Sequence, residues 1–162
     1  LPATMQLSLL EPAREFYKDE VRELGRQLRL PDDVVAKQPF PGPGAAIRIL
    51  GEVTDERLTR YHQADRIVME VLKTEGWYGK VFQSFPVLTG AKTTAVKGDG
   101  RVYGELVGLR IYDSTDIMTA GWTRLPYDVL QKISSRIVNE VPGVSRVVYD
   151  ITTKPPATME WE

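Results

Sequence analysis

The sequence predicts an α+β fold: an antiparallel sheet with two helices on one face (α-β-β-α-β-β), preceded by a helical N-terminal segment. Two strand-like runs, residues 83–96 and 101–113, are joined by "KGDGR", which is typical of a hairpin turn. Helix-patterned segments precede and follow this pair, and further strand-like runs end the chain. Strand pairs with short connections favour an antiparallel sheet that helices cover on one side.

The N-terminal segment carries one helical pattern that ends at a proline. Apolar residues recur there at near-helical spacing: Phe16, Tyr17, Val21, Leu24 and Leu28. Pro12 stands at a permitted first helical position. Leu30-Pro31 ends the helix, because a residue that precedes proline disfavours the α region. We therefore expect one helix between Pro12 and Leu30.

The stretch "PFPGPG", residues 39–44, interrupts regular structure, because its prolines fix φ and its glycines free it. It predicts a domain boundary at residue 44, followed by a short strand within 45–53. A second interpretation stays open, in which the stretch is a rigid loop whose backbone approaches a ligand. The residues of this possible hinge or ligand loop are Pro41, Gly42, Pro43 and Gly44.

The remaining elements follow from caps and periodicity. Thr54 is a good N-cap for a helix whose first turn is acidic. Pro126 opens a second helix. After it, "RVVYDIT", residues 146–152, alternates as a half-buried strand does, and "TMEWE" at 158–162 suits a final strand.

Composition excludes several classes of protein and site. The chain has 162 residues, 42% hydrophobic and 27% charged, which suits one domain or one domain with a short appendage. A net charge of −1 gives no general argument for nucleic acid or a membrane surface as partner, and we expect neither. Cysteine is absent and His62 is the only histidine, so we expect no metal site. We expect a cytoplasmic location, and the start at Leu1 suggests a piece of a longer protein or processing.

Two motifs admit both a functional and an ordinary interpretation. "GDGRVYG", residues 98–104, lacks the following helix that a dinucleotide fingerprint needs, so a hairpin turn is the better interpretation. Arg146 and Lys154 would share one face of a regular strand, where two cations can hold a phosphate. Alternatively, they lie on a solvated edge strand and form surface ion pairs with Glu160 or Glu162.

Six motifs together carry a family resemblance: "PFPGPG", "AIRILGEV", "GDGR", "LPYDVL", "NEVPGVSRVVYDIT" and "KPPATMEWE". In this order and spacing they resemble the C-terminal end of the glutamine-hydrolysing GMP synthases, over nearly the whole chain. The resemblance implies that residues 1–44 are the end of an ATP pyrophosphatase domain with its hinge. It also implies that residues 45–162 are the dimerisation domain.

The resemblance implies that the chain is part of a larger ligase, which carries out the ATP-dependent amination of XMP to GMP. Within that enzyme, this chain would form the homodimer and supply part of the XMP site. The glutaminase cysteine and the "SGGxDS" pyrophosphate loop do not occur in this sequence. We therefore expect no catalytic residue and no activity in this chain alone. ATP and Mg²⁺ would act in the full-length enzyme and would not be bound here. The expected partners are a second copy, XMP, and the pyrophosphatase and glutaminase parts.

By the same resemblance, the XMP contacts fall on five residues: Gln83, Arg146, Lys154, Met159 and Glu160. The first three would bind phosphate, Glu160 would accept from purine or ribose, and Trp161 would fix the tail in the core or an interface. Gln38 and Lys92 replace the histidine and arginine common in the family, which leaves the role of the hairpin strand open. The alternative function is a free-standing, non-enzymatic module for purine-nucleotide sensing or assembly.

Overall fold

A computed structural model describes residues 9–115 and 117–162, including the side chains except that of Lys18. The chain divides into two compact units, residues 1–37 and 38–162. The first unit holds α1 (Lys18–Gln27) and α2 (Asp32–Val35). The second unit therefore begins just before "PFPGPG", and the predicted boundary at residue 44 falls inside it.

Helix α1 is shorter than the sequence pattern predicts. It begins after Tyr17, whose backbone N–H donates to Glu20 Oε2 at 2.7 Å, while Pro12 lies in a preceding turn. Val21 and Leu24 on this helix remain 40% and 36% exposed within a single chain. A predicted apolar stripe is thus present, and much of it faces solvent.

The second unit contains the helices and strands of the predicted α+β domain. In chain order they are α3 (Asp55–Thr74), β1 (Gln83–Lys97), β2 (Gly100–Asp113), β3 (Gly121–Trp122), α4 (Tyr127–Glu140) and β4 (Val144–Tyr149). Thr54 caps α3 as predicted, with Oγ1 accepting from the backbone N–H of Arg57 at 3.3 Å. The strand expected within residues 45–53 is wrong. Gly44–Arg48 form a 3₁₀ turn, and only an isolated bridge between Ile49 and Leu88 follows.

The sheet is mixed rather than purely antiparallel. β1 and β2 form the predicted antiparallel hairpin, whose register runs from Gln83 opposite Tyr112 to Lys97 opposite Gly100. β3 also pairs antiparallel with β2, whereas β4 pairs with β2 in parallel. The α+β class is confirmed, but the antiparallel expectation is wrong for β4, because α4 carries the chain back along the sheet as a crossover helix does.

The two helices lie on one face of the sheet, as predicted. Alternate residues of β1 and β2, such as Leu88, Val107 and Leu109, belong to the main hydrophobic core. Both helices contribute to the same core; their buried members include Tyr61, Ile67, Val68, Leu72, Val129, Ile133 and Ile137. The opposite face, which carries Phe85 and Arg110, is therefore left for the C-terminal tail, residues 150–162. This tail forms no strand, so the expected strand at 158–162 is wrong.

A buried ion cluster fixes the start of α3 to the sheet. Glu105, with its side chain 5% exposed, accepts from Arg57 Nη2 at 2.7 Å and Arg60 Nη1 at 2.8 Å. Burial alone would raise the pKa of Glu105, but hydrogen bonds from Arg57, the Gly90 N–H and Arg60 outweigh it and hold the pKa below its usual value. Its contribution to stability is therefore present at neutral pH, and is lost as the pH falls through the lowered pKa.

Candidate functional site

The C-terminal tail returns over the open face of the sheet, and Arg110 of β2 holds its backbone. The side chain of Arg110 is 1% exposed. Its Nη2 donates to Thr158 O at 2.7 Å and its Nε to Met159 O at 3.0 Å. Nη1 donates to Asp150 Oδ2 at 2.8 Å and to Thr152 O at 3.2 Å. One buried guanidinium thus fixes both ends of the returning segment.

Trp161 lies against the sheet at Gly108. A Cβ added at Gly108 would stand 3.1 Å from Trp161 Cη2, so only glycine leaves ordinary room for the indole ring. The indole Nε1 donates to Asp150 Oδ2 at 2.9 Å. The residue remains 37% exposed in a single chain, so its ring is fixed on the sheet without entering the core.

Glu160, which follows Met159, forms a bidentate ion pair with Arg48. Arg48 Nε donates to Glu160 Oε2 at 3.0 Å, and Nη2 donates to Oε1 at 2.9 Å. Gln83 Nε2 adds a donor to Oε1 at 3.0 Å. The glutamate side chain is 16% exposed, against 3% for the arginine. A carboxylate near the surface is therefore oriented by a buried cation.

Arg48 is itself held from three sides. Its Nη1 donates to Tyr61 Oη at 3.0 Å, and its guanidinium carbon lies 4.0 Å and 5.2 Å from the ring centroids of Phe85 and Phe40. Burial, with the nearby Asp65 carboxylate, raises the pKa of Tyr61 to about 12, so its hydroxyl stays neutral and can accept. Burial works against the charge of Arg48, but Glu160 and Tyr61 outweigh it and leave its pKa raised.

Gln83 is oriented by partners on both ends of its amide. Tyr112 Oη donates to Gln83 Oε1 through a short hydrogen bond. Burial raises the pKa of Tyr112, so this hydroxyl keeps its proton. Gln83 Nε2 donates to Pro39 O at 2.8 Å as well as to Glu160. The amide NH₂ therefore points at the carboxylate, and the "PFPGPG" stretch contacts this group of residues through its first two members.

Three of the five predicted site residues lie together: Gln83, Met159 and Glu160. The side chain of Met159 packs against the small core on the tail face of the sheet. Arg146 is exposed at the start of β4, in register with Leu106. No hydrogen bond or ion pair of its guanidinium group is found within residues 9–115 and 117–162. Its side chain is therefore available for an anion from solution.

Lys154 lies outside the regular strand. β4 ends at Tyr149, so the even-spacing argument that placed Lys154 on the same strand face as Arg146 is wrong. Lys154 instead forms a backbone bridge with Ala120, and its Nζ donates to Ile117 O at 2.7 Å. Glu160 pairs with Arg48, and among the described residues neither Glu160 nor Glu162 forms the surface ion pair with Lys154 that was the expected alternative.

The other singled-out positions have local structural roles. Pro41 O accepts from the backbone N–H of Gly44 at 3.0 Å, and Gly44 has a φ of 75°, so residues 41–44 form a turn. Gln38 Oε1 accepts from the backbone N–H and the hydroxyl of Ser84, each at 2.9 Å. Lys92 is exposed on the hairpin, opposite Glu105 in register.

Sequence reasoning missed Arg48 and Arg110. Both stand inside apolar runs, "AIRIL" and "LVGLRIY", where a charged residue is rarely buried without a partner. That contrast is the signal that would have found them. It does not name the partner, because Glu160 and Asp150 are far away in sequence.

A cavity of about 500 Å³ opens beside Glu160, between the end of β4 and the tail. Its lining includes Arg110, Tyr149, Thr152, Glu160 and Trp161. A second cavity of about 610 Å³ lies between residues 79–82 and the segments 113–115 and 119–121. Within the described part of the chain, no group of three or more His, Asp or Glu side chains is arranged to hold a metal ion, and no helix could cross a membrane.

Asp65 of α3 is a half-buried carboxylate with one buried oxygen atom. Its Oδ1 is buried and, within the described residues, has no hydrogen-bond partner. Burial raises the pKa of Asp65 above its usual value, against the attraction of Arg48 and His62. A raised carboxyl pKa means that the charged form opposes folding at neutral pH, and that this penalty disappears as the pH falls through the raised pKa.

We therefore expect Asp65→Ala to stabilise the chain by about 1 kcal/mol at pH 7, helped by the higher helix propensity of alanine. The gain should shrink in acid. Urea unfolding of the wild type and the variant at pH 7 and at pH 4 would measure the gain in the free energy of unfolding at each pH. Asp55→Ala, at an exposed site in the first turn of α3, is the control; it should destabilise slightly through the helix dipole. A loss of stability in Asp65→Ala at pH 7 would contradict the expectation.

Comparison with known proteins agrees with the resemblance seen in the sequence. Residues 70–161 match the family described as "GMP synthase C terminal domain". The chain belongs to this family. It is 60% identical over all 162 residues to a GMP synthase [glutamine-hydrolyzing] of Desulfotalea psychrophila. It is 59% identical to that of Oleidesulfovibrio alaskensis and 56% identical to that of Caldanaerobacter subterraneus, again over 162 residues.

The chain spans 31–32% of the length of these relatives. It corresponds to their C-terminal portion, as the tail motif indicated. The family match includes all four strands, α4 and the tail as far as Trp161, and therefore covers Arg110, Glu160 and most of the site. Gln83 lies inside the same match, whereas Arg48 lies before it.

Proposed function

We propose that this chain is the C-terminal portion of a GMP synthase, a glutamine-hydrolysing, ATP-dependent ligase that converts XMP to GMP. In this proposal residues 1–44 end the ATP pyrophosphatase domain and residues 45–162 form the dimerisation domain. ATP, Mg²⁺ and ammonia are handled by other parts of the full-length enzyme. The match over the whole chain favours this proposal over a free-standing sensing or assembly module.

The observation that carries the proposal is the ordered tail with its Gln83–Glu160 contact. Glu160 is a half-buried carboxylate beside a cavity, which suits acceptance of a hydrogen bond from a purine N–H or a ribose hydroxyl. Among the residues that the structure describes, the Arg146 side chain has no polar partner, and the Lys154 ammonium donates to one carbonyl, that of Ile117. Both can turn to a phosphate dianion, because charge-assisted hydrogen bonds are stronger than neutral ones.

The direct test is equilibrium binding of XMP and of ATP to the full-length protein, with and without Glu160→Gln. We expect XMP to bind about tenfold more weakly, which corresponds to one hydrogen bond to a charged group, and ATP to bind as before. Glu140→Gln is a matched control, because Glu140 pairs with Arg136 on the surface of α4, away from the tail. Equal XMP affinity in the wild-type protein and in Glu160→Gln would overturn the assigned site.

We further expect the chain to form a homodimer through the outer part of the β1–β2 hairpin. Val96, Val102 and Tyr103 are 72%, 36% and 71% exposed there in a single chain. Obligate interfaces usually bury more than about 2,000 Å² and are rich in apolar side chains. Sedimentation equilibrium at micromolar concentration should give twice the monomer mass. Tyr103→Lys should shift the mass toward the monomer, whereas Tyr127→Lys, at an exposed tyrosine of α4, should not. A monomeric wild-type chain would refute this expectation.

A further inference from the structure

The hydrogen bonds around Glu160 are distributed unequally between its two oxygens. A carboxylate offers about four acceptor sites, two on each oxygen. Oε1 already accepts two hydrogen bonds, from Arg48 Nη2 and Gln83 Nε2, whereas Oε2 accepts one, from Arg48 Nε. Counted over the described residues, one acceptor site on Oε2 is left.

We infer that Arg48 is a positioning residue, which presents Glu160 Oε2 as a single acceptor for one N–H or O–H donor of the bound nucleotide. This inference rests on the proposed function, since it assumes that a purine nucleotide meets Glu160. Arg48 does not touch the ligand in this arrangement. It acts through the carboxylate, by fixing the plane of the carboxylate and the direction of its remaining lone pair.

The surroundings of Arg48 suit this role. A guanidinium is planar, and its Nε and Nη2 donors match both oxygens of a carboxylate, which a lysine ammonium cannot do. The rings of Phe85 and Phe40 restrict the guanidinium plane, and Tyr61 Oη occupies Nη1. The orientation of Glu160 is therefore fixed before a ligand arrives, which reduces the entropy lost on binding.

The arrangement also selects among ligands. A second donor would have to displace Gln83 from Oε1, and Gln83 is itself fixed by Tyr112 and Pro39. A ligand that placed an acceptor atom opposite Oε2 would be repelled by the oxygen lone pair, and the carboxylate charge would lack a hydrogen-bond donor there. The site therefore favours a nucleotide that offers one donor at this position and discriminates against one that offers an acceptor.

The test uses steady-state kinetics of the full-length enzyme with XMP and ATP varied separately. Arg48→Lys keeps the charge but loses the bidentate geometry, so we expect the KM for XMP to rise about tenfold with the KM for ATP unchanged. In a Glu160→Gln background the same change should add little, because both substitutions disturb one interaction. Tyr61→Phe, which removes only the acceptor of Nη1, should raise the KM for XMP by a smaller factor.

Arg57→Lys is the matched control. Arg57 also binds a buried carboxylate, Glu105, which lies opposite Lys92 in the hairpin register, whereas Gln83 lies opposite Tyr112. It should lower the thermal midpoint and leave the KM for XMP unchanged. If Arg48→Lys fails to fold, Tyr61→Phe alone decides the question by the same measurement.

The possible negative results distinguish the proposed function from the positioning role of Arg48. If Glu160→Gln itself leaves XMP binding unchanged, the assigned site of the proposed function is wrong. If Glu160→Gln weakens XMP binding while Arg48→Lys and Tyr61→Phe leave the KM for XMP at the wild-type value, only the positioning role is overturned. A parallel rise of the KM values for XMP and ATP in Arg48→Lys would show general structural damage and would also overturn it.

Discussion

Replacing Arg110 by methionine is expected to lower the free energy of unfolding of the chain by about 3–5 kcal/mol, the usual cost of removing one partner of a buried ion pair. Methionine can fill much of the space of the arginine side chain, so the cost comes mainly from lost polar contacts. Asp150 would lose its charge partner, and the carbonyls of Thr152, Thr158 and Met159 would lose their donor. The tail should then be held less firmly on the sheet, since one side chain makes all of these contacts and mainly the Glu160–Arg48 pair and the packing of Trp161 remain.

Urea unfolding measures the stability change, and hydrogen exchange of residues 150–161 reports release of the tail. Arg136→Met is the matched control, because Arg136 pairs with Glu140 and Glu70 at the surface with its side chain 32% exposed. Such a pair contributes about 0–1 kcal/mol. A similar loss in both variants, or an unchanged tail in Arg110→Met, would show that Arg110 does not hold the tail.

The effect of Arg110→Met should depend on pH. Burial alone would raise the pKa of Asp150, but hydrogen bonds from Thr152, the charge of Arg110 and the indole N–H of Trp161 lower it. Because its pKa is lowered in the folded chain, ionised Asp150 stabilises the fold at neutral pH. This stabilisation is lost as the pH falls through the lowered pKa. The difference between the wild type and Arg110→Met should therefore be largest near neutral pH and smaller in acid.

Replacing Lys154 by alanine in the full-length protein is expected to raise the KM for XMP, or lower kcat/KM, by about tenfold to more than a hundredfold. One charge-assisted contact to a phosphate dianion is worth roughly 1.5–3 kcal/mol, which gives this range. Within residues 9–115 and 117–162, the Lys154 ammonium donates one hydrogen bond, to Ile117 O, so we expect little folding stability to depend on it. The KM for ATP should change little, because ATP is proposed to bind in another domain.

Steady-state kinetics with each substrate varied separately tests the role of Lys154. Lys132→Ala is a matched control, because Lys132 pairs with Glu75 at the surface of α4. Its XMP parameters should equal those of the wild type. An unchanged XMP parameter in a folded, dimeric Lys154→Ala would falsify the phosphate role and leave Lys154 with only its local bond.

By itself the sequence determined the elements whose causes are local. The β1–β2 hairpin follows from alternating strand residues around a glycine-containing turn, and α3 begins where Thr54 caps it. The opening of α4 follows from Pro126 in the same way. The family could also be inferred from the sequence, because the tail motif and "PFPGPG" are specific. Each of these inferences needs only residues that are close together along the chain.

Only the tertiary structure decided the direction of β4 and the conformation of the tail. Buried and exposed residues alternate in the same way in parallel and antiparallel strands. The pattern of "RVVYDIT" therefore does not predict whether β4 runs parallel or antiparallel to β2. Likewise, "TMEWE" alternates as a strand does. Its backbone carbonyls bond to Arg110 instead of to a neighbouring strand, and its tryptophan fits over Gly108.

The geometry of the candidate site was likewise decided by long-range packing. Residue chemistry and family resemblance named Gln83 and Glu160, but nothing near either residue shows that Arg48 joins them. Arg48 and Glu160 are separated by 112 positions, and they meet because the tail returns across the sheet. A buried charge requires a partner, so the sequence shows that Arg48 must have one. Which residue serves as that partner depends on the fold, since burial and proximity are properties of the packed chain.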